Sequence, residues 1–349
     1  TGTFSVSNET EAITIGSDGT NGKWNLIGNP FPSYLDLSHF YTDNSAYFDD
    51  TYTAVFAYDG DDSNGSVWTE YSSGNVSGQY IAPGQGFFVA AGGSHSVKFD
   101  TDMQSVSGSD DFISGDAMDD DTEVILRIYN DNNVAGSTQI LFKEDQDLWL
   151  GLDKGWDIGN FNQSAAIMTR LVEEDEGHGL AINAMSNEDM DDVVIPLVIN
   201  QDASQEFRVN LHTSSIGEVN IYLEDTEEQT LTLLNEEDFV LTPTYDLSDA
   251  GRFYIHLTAD TLNDGEVNTS LLNAYKEVDT NYITIEGLST QVTSTKVSLY
   301  NILGAKVMDA TLDNTSNTQM ISTNGLSTGI YVIKLESGQN QLTKKLIIR

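Results

Sequence analysis

The 349-residue sequence contains no cysteine, which excludes disulfide bonds, thiolate metal sites and cysteine nucleophiles. Basic residues are scarce as well: 15 lysines and arginines stand against 55 aspartates and glutamates, for a formal net charge of -40. Because such a negative field repels nucleic acids and anionic lipid headgroups, we expect no nucleic-acid partner. The same field concentrates divalent cations, and calcium prefers carboxylate and carbonyl oxygens. Calcium is therefore the one cofactor that we consider, and no other is predicted.

Long apolar runs are also missing. A membrane helix requires ~20 consecutive apolar residues, and the nearest approach, residues 81–93, is broken by glycines. We therefore expect a protein that is not integral to a membrane. The residues after Thr1 do not resemble a signal peptide, so we expect a processed chain or the C-terminal part of a longer one.

Strand signals dominate what the sequence does contain. Alternating apolar runs rich in Val, Ile, Tyr and Phe, such as EVILRIYN from Glu123 and RFYIHL from Arg252, are separated by clusters of Gly, Asn, Asp and Ser. Helical patterns are short and confined to residues 33–40 and 271–276. Many short strands at close spacing predict an all-β protein of tandem antiparallel β-sandwich domains, of jelly-roll or immunoglobulin-like type.

The charge distribution marks the main domain boundary. Residues 1–274 carry 8 basic and 49 acidic side chains, whereas residues 275–349 carry 7 and 6. A near-neutral module therefore follows an intensely acidic body. A stretch rich in serine, glycine and carboxylates marks a second boundary. The predicted organisation is a β-sandwich at 1–105, a linker or exposed loop at 106–120, a second β-sandwich at 121–262, a linker at 263–274 and a terminal domain at 275–349.

Three motifs follow one another toward the C-terminus. They are VSLYNILGAKVM from Val297, NGLSTGIYVIKLE from Asn324 and a last strand with paired lysines, QLTKKLIIR. Together they resemble the type A C-terminal sorting domain of the type IX secretion system, although the Tyr-Pro-Asn-Pro opening of many members is absent. The positions that match its turn, hairpin and last-strand motifs, and that the resemblance implies as export-signal or partner-binding residues, are Tyr300, Asn301, Gly304, Leu326, Gly329, Tyr331, Lys344 and Lys345.

The resemblance implies a small terminal β-sandwich and an extracellular or cell-surface location. Members of that family are exported through the periplasm and outer membrane by a translocon and a partner shuttle protein, and are then attached to surface lipopolysaccharide or released. Body segments such as KWNLIGNPFPSYLD from Lys23 also resemble accessory domains that precede sorting domains in adhesins. We therefore expect the C-terminal region of a secreted, adhesin-like surface protein that is not an enzyme.

Two alternatives remain open. The chain could be a carbohydrate-binding or adhesive module in its own right, or the accessory part of a secreted hydrolase whose catalytic domain lies upstream. A glycan site stacks sugars on exposed rings, but burial is the commoner fate of aromatic side chains. We expect Trp24 and Trp68 to pack in the core and Trp156 to be the most exposed of the candidate rings, which are Trp24, Trp68, Tyr71, Trp149 and Trp156.

One segment has the spacing of an EF-hand-like calcium loop. Its oxygen ligands at the first, third, fifth and twelfth loop positions are Asp59, Asp61, Ser63 and Glu70. The sixth position, where glycine is expected, is Asn64, and the flanking segments are strand-like. These four residues are therefore a weak calcium candidate.

Catalytic signals are poor. The five histidines show no metal-binding spacing. Carboxylates are too numerous for a glycosidase pair to be selected by sequence. We expect Glu224 and Asp225, at the end of a predicted strand, to form a turn or a surface pair.

Overall fold

The structure, a computed structural model, describes residues 4–17, 22–58, 68–108, 122–144, 147–217, 219–248, 250–258, 272–276, 280–301, 304–338 and 340–348. The chain forms two compact units. The first comprises Thr1–Asp121 and Asp153–Phe161, and the second comprises Thr122–Leu152 and Asn162–Arg349. The segment Asp153–Phe161 thus leaves the second half of the chain to pack in the first unit. The boundaries predicted from the sequence stay predictions.

The first unit packs short antiparallel strands and one helix around a single core that includes Phe31, Phe40, Phe87 and Phe99. The strand orders of its sheets are β2-β7-β4-β5, β6-β3-β9 and β1-β8. The elements are β1 (Glu9–Ile13), β2 (Trp24–Gly28), β3 (Tyr34–Asp36), α1 (Leu37–Asn44), β4 (Val55–Tyr58), β5 (Trp68–Tyr71), β6 (Tyr80–Ile81), β7 (Gly86–Ala90), β8 (His95–Phe99) and β9 (Gln104–Ser105).

The helix α1 begins four residues later than the predicted pattern at 33–40 and overlaps its second half. Asp36 caps it, because its Oδ1 accepts a hydrogen bond from the backbone N–H of His39 at 3.2 Å. At the other end, Asn44 is fully buried and bonds to both backbone groups of Lys98 on β8. No helix in the parts of the chain described above is long and apolar enough to cross a membrane.

The second unit contains a main sheet with the strand order β18-β17-β20-β15-β13-β14-β11-β10-β16-β19. Most pairs are antiparallel, but β11 and β14 pair in parallel, which the antiparallel prediction did not anticipate. The strands are β10 (Thr122–Asn130), β11 (Asn133–Lys143), β13 (Ile167–Thr169), β14 (Leu180–Ser186), β15 (Asp192–Ile199), β16 (Phe207–Ser214), β17 (Asn220–Asp225), β18 (Thr230–Leu233), β19 (Phe239–Leu241) and β20 (Phe253–Thr258). The strand β12 (Ile158–Gly159) lies in the segment that belongs to the first unit.

The main sheet folds back on itself to enclose its own core. Phe253 on β20 meets Phe207 and Phe239, which come from strands at the opposite end of the sheet order, at ring-centroid distances of 6.4 and 5.8 Å. The fold line lies near β13 and β14, which share a single residue pair, Thr169 and Leu180. Alternating inward side chains from both layers fill the interior, as in a β-sandwich.

The chain ends in a smaller sandwich, residues 272–348, called here the C-terminal sandwich. One sheet has the order β21-β22-β25 and the other β24-β23-β26-β27, and Ile285 from the first packs with Ile333 from the second. The all-β prediction is confirmed. The strands are β21 (Asn273–Lys276), β22 (Tyr282–Glu286), β23 (Thr295–Asn301), β24 (Lys306–Leu312), β25 (Gln319–Ser322), β26 (Gly329–Ser337) and β27 (Asn340–Ile348).

The helical pattern at 271–276 was misleading. Residues Asn273–Lys276 form β21, which pairs antiparallel with β22. The run is too short for a helix to be stable without packing, and pairing with β22 satisfies its backbone groups instead.

Candidate functional site

The outward face of the larger sheet in the C-terminal sandwich brings two predicted residues into one row. Tyr300 on β23 lies opposite Val332 on β26, which lies opposite Lys345 on β27. Tyr300 is half-buried, and the Lys345 side chain is 50% exposed. Because all three side chains point away from the sandwich core, this row is accessible to a partner from the face of the sheet.

The described residues at the two ends of the predicted turn after Tyr300 are hydrogen-bonded to each other. The N–H of Gly304 donates to the carbonyl of Asn301 at 2.9 Å, and the Asn301 side chain accepts from the N–H of Ala305 at 3.0 Å. Gly304 has φ of 75°, a region that disfavours other residues. Asn301 and Gly304 therefore shape the hairpin between β23 and β24.

The hairpin motif residues build the frame of the sandwich. Tyr331 is buried, and its hydroxyl donates to the carbonyl of Ser327 at 2.7 Å. Leu326 is half-buried against the same core, and Gly329 begins β26. These three residues hold the loop before β26 against the core, so their evident role is structural.

The two predicted lysines of the last strand face opposite sides of the sheet. Lys344 is in phase with the core residues Leu346 and Ile348, and its Nζ donates to Oδ1 of Asn273 at 2.9 Å. Burial lowers the pKa of Lys344, the nearby carboxylate of Asp175 opposes this shift, and Arg170 adds to it. Only Lys345 of this pair lies on the outward row.

Further charges lie on the outward face. Nζ of Lys334 lies 2.9 Å from Oε1 of Glu336, and this contact, with lesser contributions from Lys296 and Lys306, lowers the pKa of Glu336. Lys296 lies opposite Glu336 in the strand register. The face therefore carries an excess of positive charge, in contrast to the acidic body.

A charged contact joins the C-terminal sandwich to the segment that follows β13. Arg170 forms a buried ion pair with Asp175 at 3.0 Å, and its guanidinium lies 4.3 Å from the ring centroid of Tyr275 on β21. The Tyr275 hydroxyl donates to Glu286 on β22 at 2.7 Å. Burial tends to lower the pKa of Arg170, but Asp175, Tyr275 and Glu286 outweigh it and raise that pKa. Sequence reasoning missed this cluster, because its members are distant in the chain.

The expectation of a surface pair at Glu224 and Asp225 was wrong. Both carboxylates are fully buried at the end of β17. Glu224 lies 2.7 Å from Nε2 of His256, and Asp225 accepts bonds of 2.9 and 2.7 Å from the guanidinium of Arg252. His256 lies on β20, the neighbouring strand, and Arg252 directly precedes that strand. The burial is tolerated because each carboxylate is paired.

Only one of the four calcium candidates can be placed. Asp59, Asp61 and Ser63 lie outside the described residues. Glu70 lies partly buried on β5, and burial raises its pKa to about 8. A carboxyl that is protonated at neutral pH is a poor calcium ligand. Within the ranges given above, no three His, Asp or Glu side chains are arranged to hold a metal ion, so the calcium site stays a prediction.

The aromatic candidates divide between packing and exposure. Trp68 stacks on Phe161 with centroids 4.2 Å apart, and Trp24 lies 4.5 Å from the same ring. Both tryptophans are half-buried and lie outside the core cluster of the first unit, so the expectation that they pack in the core was wrong. Tyr71 is buried. The expectation that Trp156 is the most exposed ring was wrong: Trp156 is half-buried, whereas Trp149 is 38% exposed.

The fold and the terminal motifs define an exported all-β protein that carries a sorting module. A family model described as a secretion system C-terminal sorting domain matches residues 279–349, and one described as a domain of unknown function (DUF8693) matches residues 1–257. The chain belongs to the DUF8693 family, whose domain spans most of its length. Its terminal domain makes it a substrate of the type IX secretion system, exported to the cell surface or the extracellular space. No curated protein matches the chain.

Proposed function

We propose that this chain is the C-terminal region of an adhesin-like surface protein, without a catalytic role of its own. In this proposal the C-terminal sandwich binds the type IX translocon and its shuttle protein. The observation that carries it is the outward row Tyr300, Val332 and Lys345 on a sandwich with its own hydrophobic core. A module with a separate core keeps its own fold whatever domain precedes it.

The charge contrast supports this division of labour. The outward face of the C-terminal sandwich carries Lys296, Lys334 and Lys345, while residues 1–274 contain 49 carboxylates. An acidic partner is attracted to this face and repelled by the carboxylate-rich body, which directs the encounter to the terminal module. After export, the acidic body faces the medium, and attachment to surface lipopolysaccharide belongs to the same proposal.

The test compares two rows of the same sheet face in a host with a type IX secretion system. Tyr300→Ala with Lys345→Ala removes the proposed contact row. Lys296→Ala with Gln341→Ala removes the same charge from the row that contains Glu336, so this control matches the first variant in charge and differs in the row that it alters. Losing about 1.4 kcal/mol of binding lowers the affinity about tenfold, so we expect surface protein to fall by a comparable factor only in the first variant. Equal export of both variants would count against the row as the contact.

An adhesive function of the first unit is a second candidate, favoured by one specific surface. Leu26 and Tyr58 are 65% and 55% exposed and share a sheet face with Phe88 and Trp68. Exposed rings and apolar side chains of this kind fit the apolar faces of sugar rings. Binding of the purified chain to a glycan array, lost in Tyr58→Ala and kept in Tyr245→Ala, would support this function. An array without signal would dismiss a glycan ligand of the types displayed.

A further inference from the structure

Four consecutive carboxylates, residues 173–176, lie beside the last strand of the C-terminal sandwich. Glu174 pairs with Lys345, and the shallow pocket at this place is lined by Glu174, Asp175, Glu176, Lys276, Lys345 and Leu346. We call residues 173–176 the acidic segment. It belongs to the main-sheet part of the second unit, whereas Lys276 and Lys345 belong to the C-terminal sandwich. The two parts therefore meet through opposite charges.

The strand at this contact is an edge strand. β27 is the outermost strand of the order β24-β23-β26-β27. Edge strands offer backbone donors and acceptors to any extended segment that approaches, so proteins cover or charge them. Lys345 places a positive charge on this edge strand, and the acidic segment lies beside that charge. A partner that adds a strand to β27 would have to occupy the same place.

A second group of contacts fixes the sandwich beside the acidic segment. Arg170 bridges Asp175 and the ring of Tyr275, and Tyr275 bonds to Glu286. Burial raises the pKa of Tyr254 on β20, and the charge of Glu286 adds to this effect. Breaking a buried ionic contact costs more than breaking an exposed one, because the remaining charge stays unpaired in a poorly solvated place.

A third contact is made at the backbone. Gly251, with φ of 102°, comes so close to β22 that a Cβ built on it would lie 2.8 Å from Cβ of Glu286 and 3.3 Å from the N of Gly287. No side chain fits there without a shift of the neighbouring backbone. The main sheet and the C-terminal sandwich thus meet through three adjoining contacts: the acidic segment, the Arg170 cluster and Gly251.

We propose that the acidic segment is an internal occupant of the β27 edge, and that an external partner must displace it to bind there. The partner that fits is an extended protein segment rich in carboxylates, because it would offer Lys345 the charge that Glu174 now supplies. This inference rests on the proposed function and adds a step to it. While the C-terminal sandwich is docked against the acidic segment, its Tyr300 face is exposed and its β27 edge is covered. Undocking uncovers the edge.

Amine acylation of the purified full chain, read by mass spectrometry, tests the docking. Glu174→Lys repels Lys345, and the increased opening should raise acylation of the buried Lys344 at least about fivefold, because a covered group reacts through its open state. Lys334, which pairs with Glu336 on the outward face of the same sandwich, is the internal standard, and its acylation should not change. Glu188→Lys, an exposed site in the turn before β15, is the matched control for charge. Unchanged reactivity of Lys344 would overturn the docking.

A disulfide lock tests whether undocking is needed for export. The chain has no cysteine, so Gly251→Cys with Glu286→Cys can form only the intended bond. The two Cβ atoms lie closer than the usual ~3.5–4.5 Å of a disulfide, so a backbone shift of about 1 Å is needed. The two single-cysteine variants each carry one of these changes and cannot form the bond, so they are the controls for folding. We expect the oxidised double variant to stay in the periplasm while the single variants reach the surface.

The outcomes separate this inference from the proposed function. Export of the oxidised variant with its disulfide intact would overturn displacement as a required step, while leaving the sorting role in place. Conversely, if removing residues 272–349 leaves export unchanged, the proposed function fails, and the acylation experiment still decides whether the acidic segment covers β27. The charge-swapped pair Glu174→Lys with Lys345→Glu should restore the low reactivity of Lys344. A reactivity as high as in Glu174→Lys alone would contradict the ionic contact.

Discussion

The guanidinium of Arg170 lies over the ring of Tyr275, 4.3 Å from its centroid, and joins the main sheet to the first strand of the C-terminal sandwich. The same ring is tied by its hydroxyl to Glu286. Tyr275 therefore serves both parts: its face contacts a cation of the body, and its polar tip bonds within its own sandwich. An isolated sorting module would lose the first contact and keep the second.

Substitutions of Tyr275 separate these two contacts. Tyr275→Phe keeps the ring over Arg170 and loses one hydrogen bond, for an expected cost of about 1 kcal/mol in the free energy of unfolding. Tyr275→Ala removes a buried aromatic side chain and the cation–π contact, for about 3–5 kcal/mol. Urea unfolding of the full chain, followed by hydrogen exchange of Ile283 and Ile285, measures both. Equal losses in the two variants would show that the ring contact contributes nothing.

Two motif glycines should differ sharply in their tolerance of alanine. Gly304 needs a positive φ, so Gly304→Ala should destabilise the C-terminal sandwich by about 1 kcal/mol through the backbone alone. Gly329 lies in a strand, and a Cβ there would have ordinary contact at 3.9 Å with Tyr331, so Gly329→Ala should be neutral or slightly stabilising. Thermal unfolding of the two variants gives the comparison. A larger loss for Gly329→Ala would contradict the assigned backbone roles.

The raised pKa of Glu70 predicts a pH dependence of the first unit. The carboxyl has a pKa of about 8 in the folded state and about 4.5 when unfolded. Between these values the folded state holds a proton that the unfolded state has lost, so stability is highest below pH ~4.5 and falls as the pH rises toward 8. Glu70→Gln should remove this fall, which is on the order of a few kcal/mol. Urea titrations of both proteins at pH 5, 6, 7 and 8 measure it; parallel pH profiles would refute the shift.

Phe161 should shield the two tryptophans of the first unit from water. It lies 4.2 Å from the ring of Trp68 and 4.5 Å from that of Trp24. Phe161→Ala should cost about 2–3 kcal/mol in the stability of the first unit, less than for a fully buried phenylalanine, because Phe161 is only half-buried. It should also shift tryptophan emission to the red. Phe4→Ala, at a side chain that is 56% exposed, is the control and should change neither quantity. An unshifted emission spectrum would place the segment 153–161 elsewhere.

Local patterns predicted most of the strands. The run from Glu123 forms β10 and the run from Arg252 forms β20, because alternation of apolar side chains reports directly on a sheet with one face in the core. The same rule could have separated the paired lysines: Lys344 is in phase with Leu342, Leu346 and Ile348, so it had to face inward, and Lys345 outward. That signal was present in the sequence and was not used.

Long-range relationships escaped the sequence reading. Nothing near Phe161 indicates that its ring packs on Trp68, and nothing near Glu224 indicates that it pairs with His256 on the neighbouring strand β20. The parallel pairing of β11 with β14 likewise depends on how distant segments meet. Carboxylates are so frequent in this chain that composition alone could not single out the few that are buried. Sequence motifs therefore located the terminal module, and the structure was needed to find what covers its last strand.

The C-terminal sandwich should direct export by itself. This is measured by attaching residues 272–349 to an unrelated folded periplasmic protein in a host with a type IX secretion system and following where that protein accumulates. We expect the fusion to appear at the cell surface or in the medium, while the same protein without the sandwich stays in the periplasm. Retention of the fusion in the periplasm with a folded, protease-resistant sandwich would show that the sandwich is not sufficient for export.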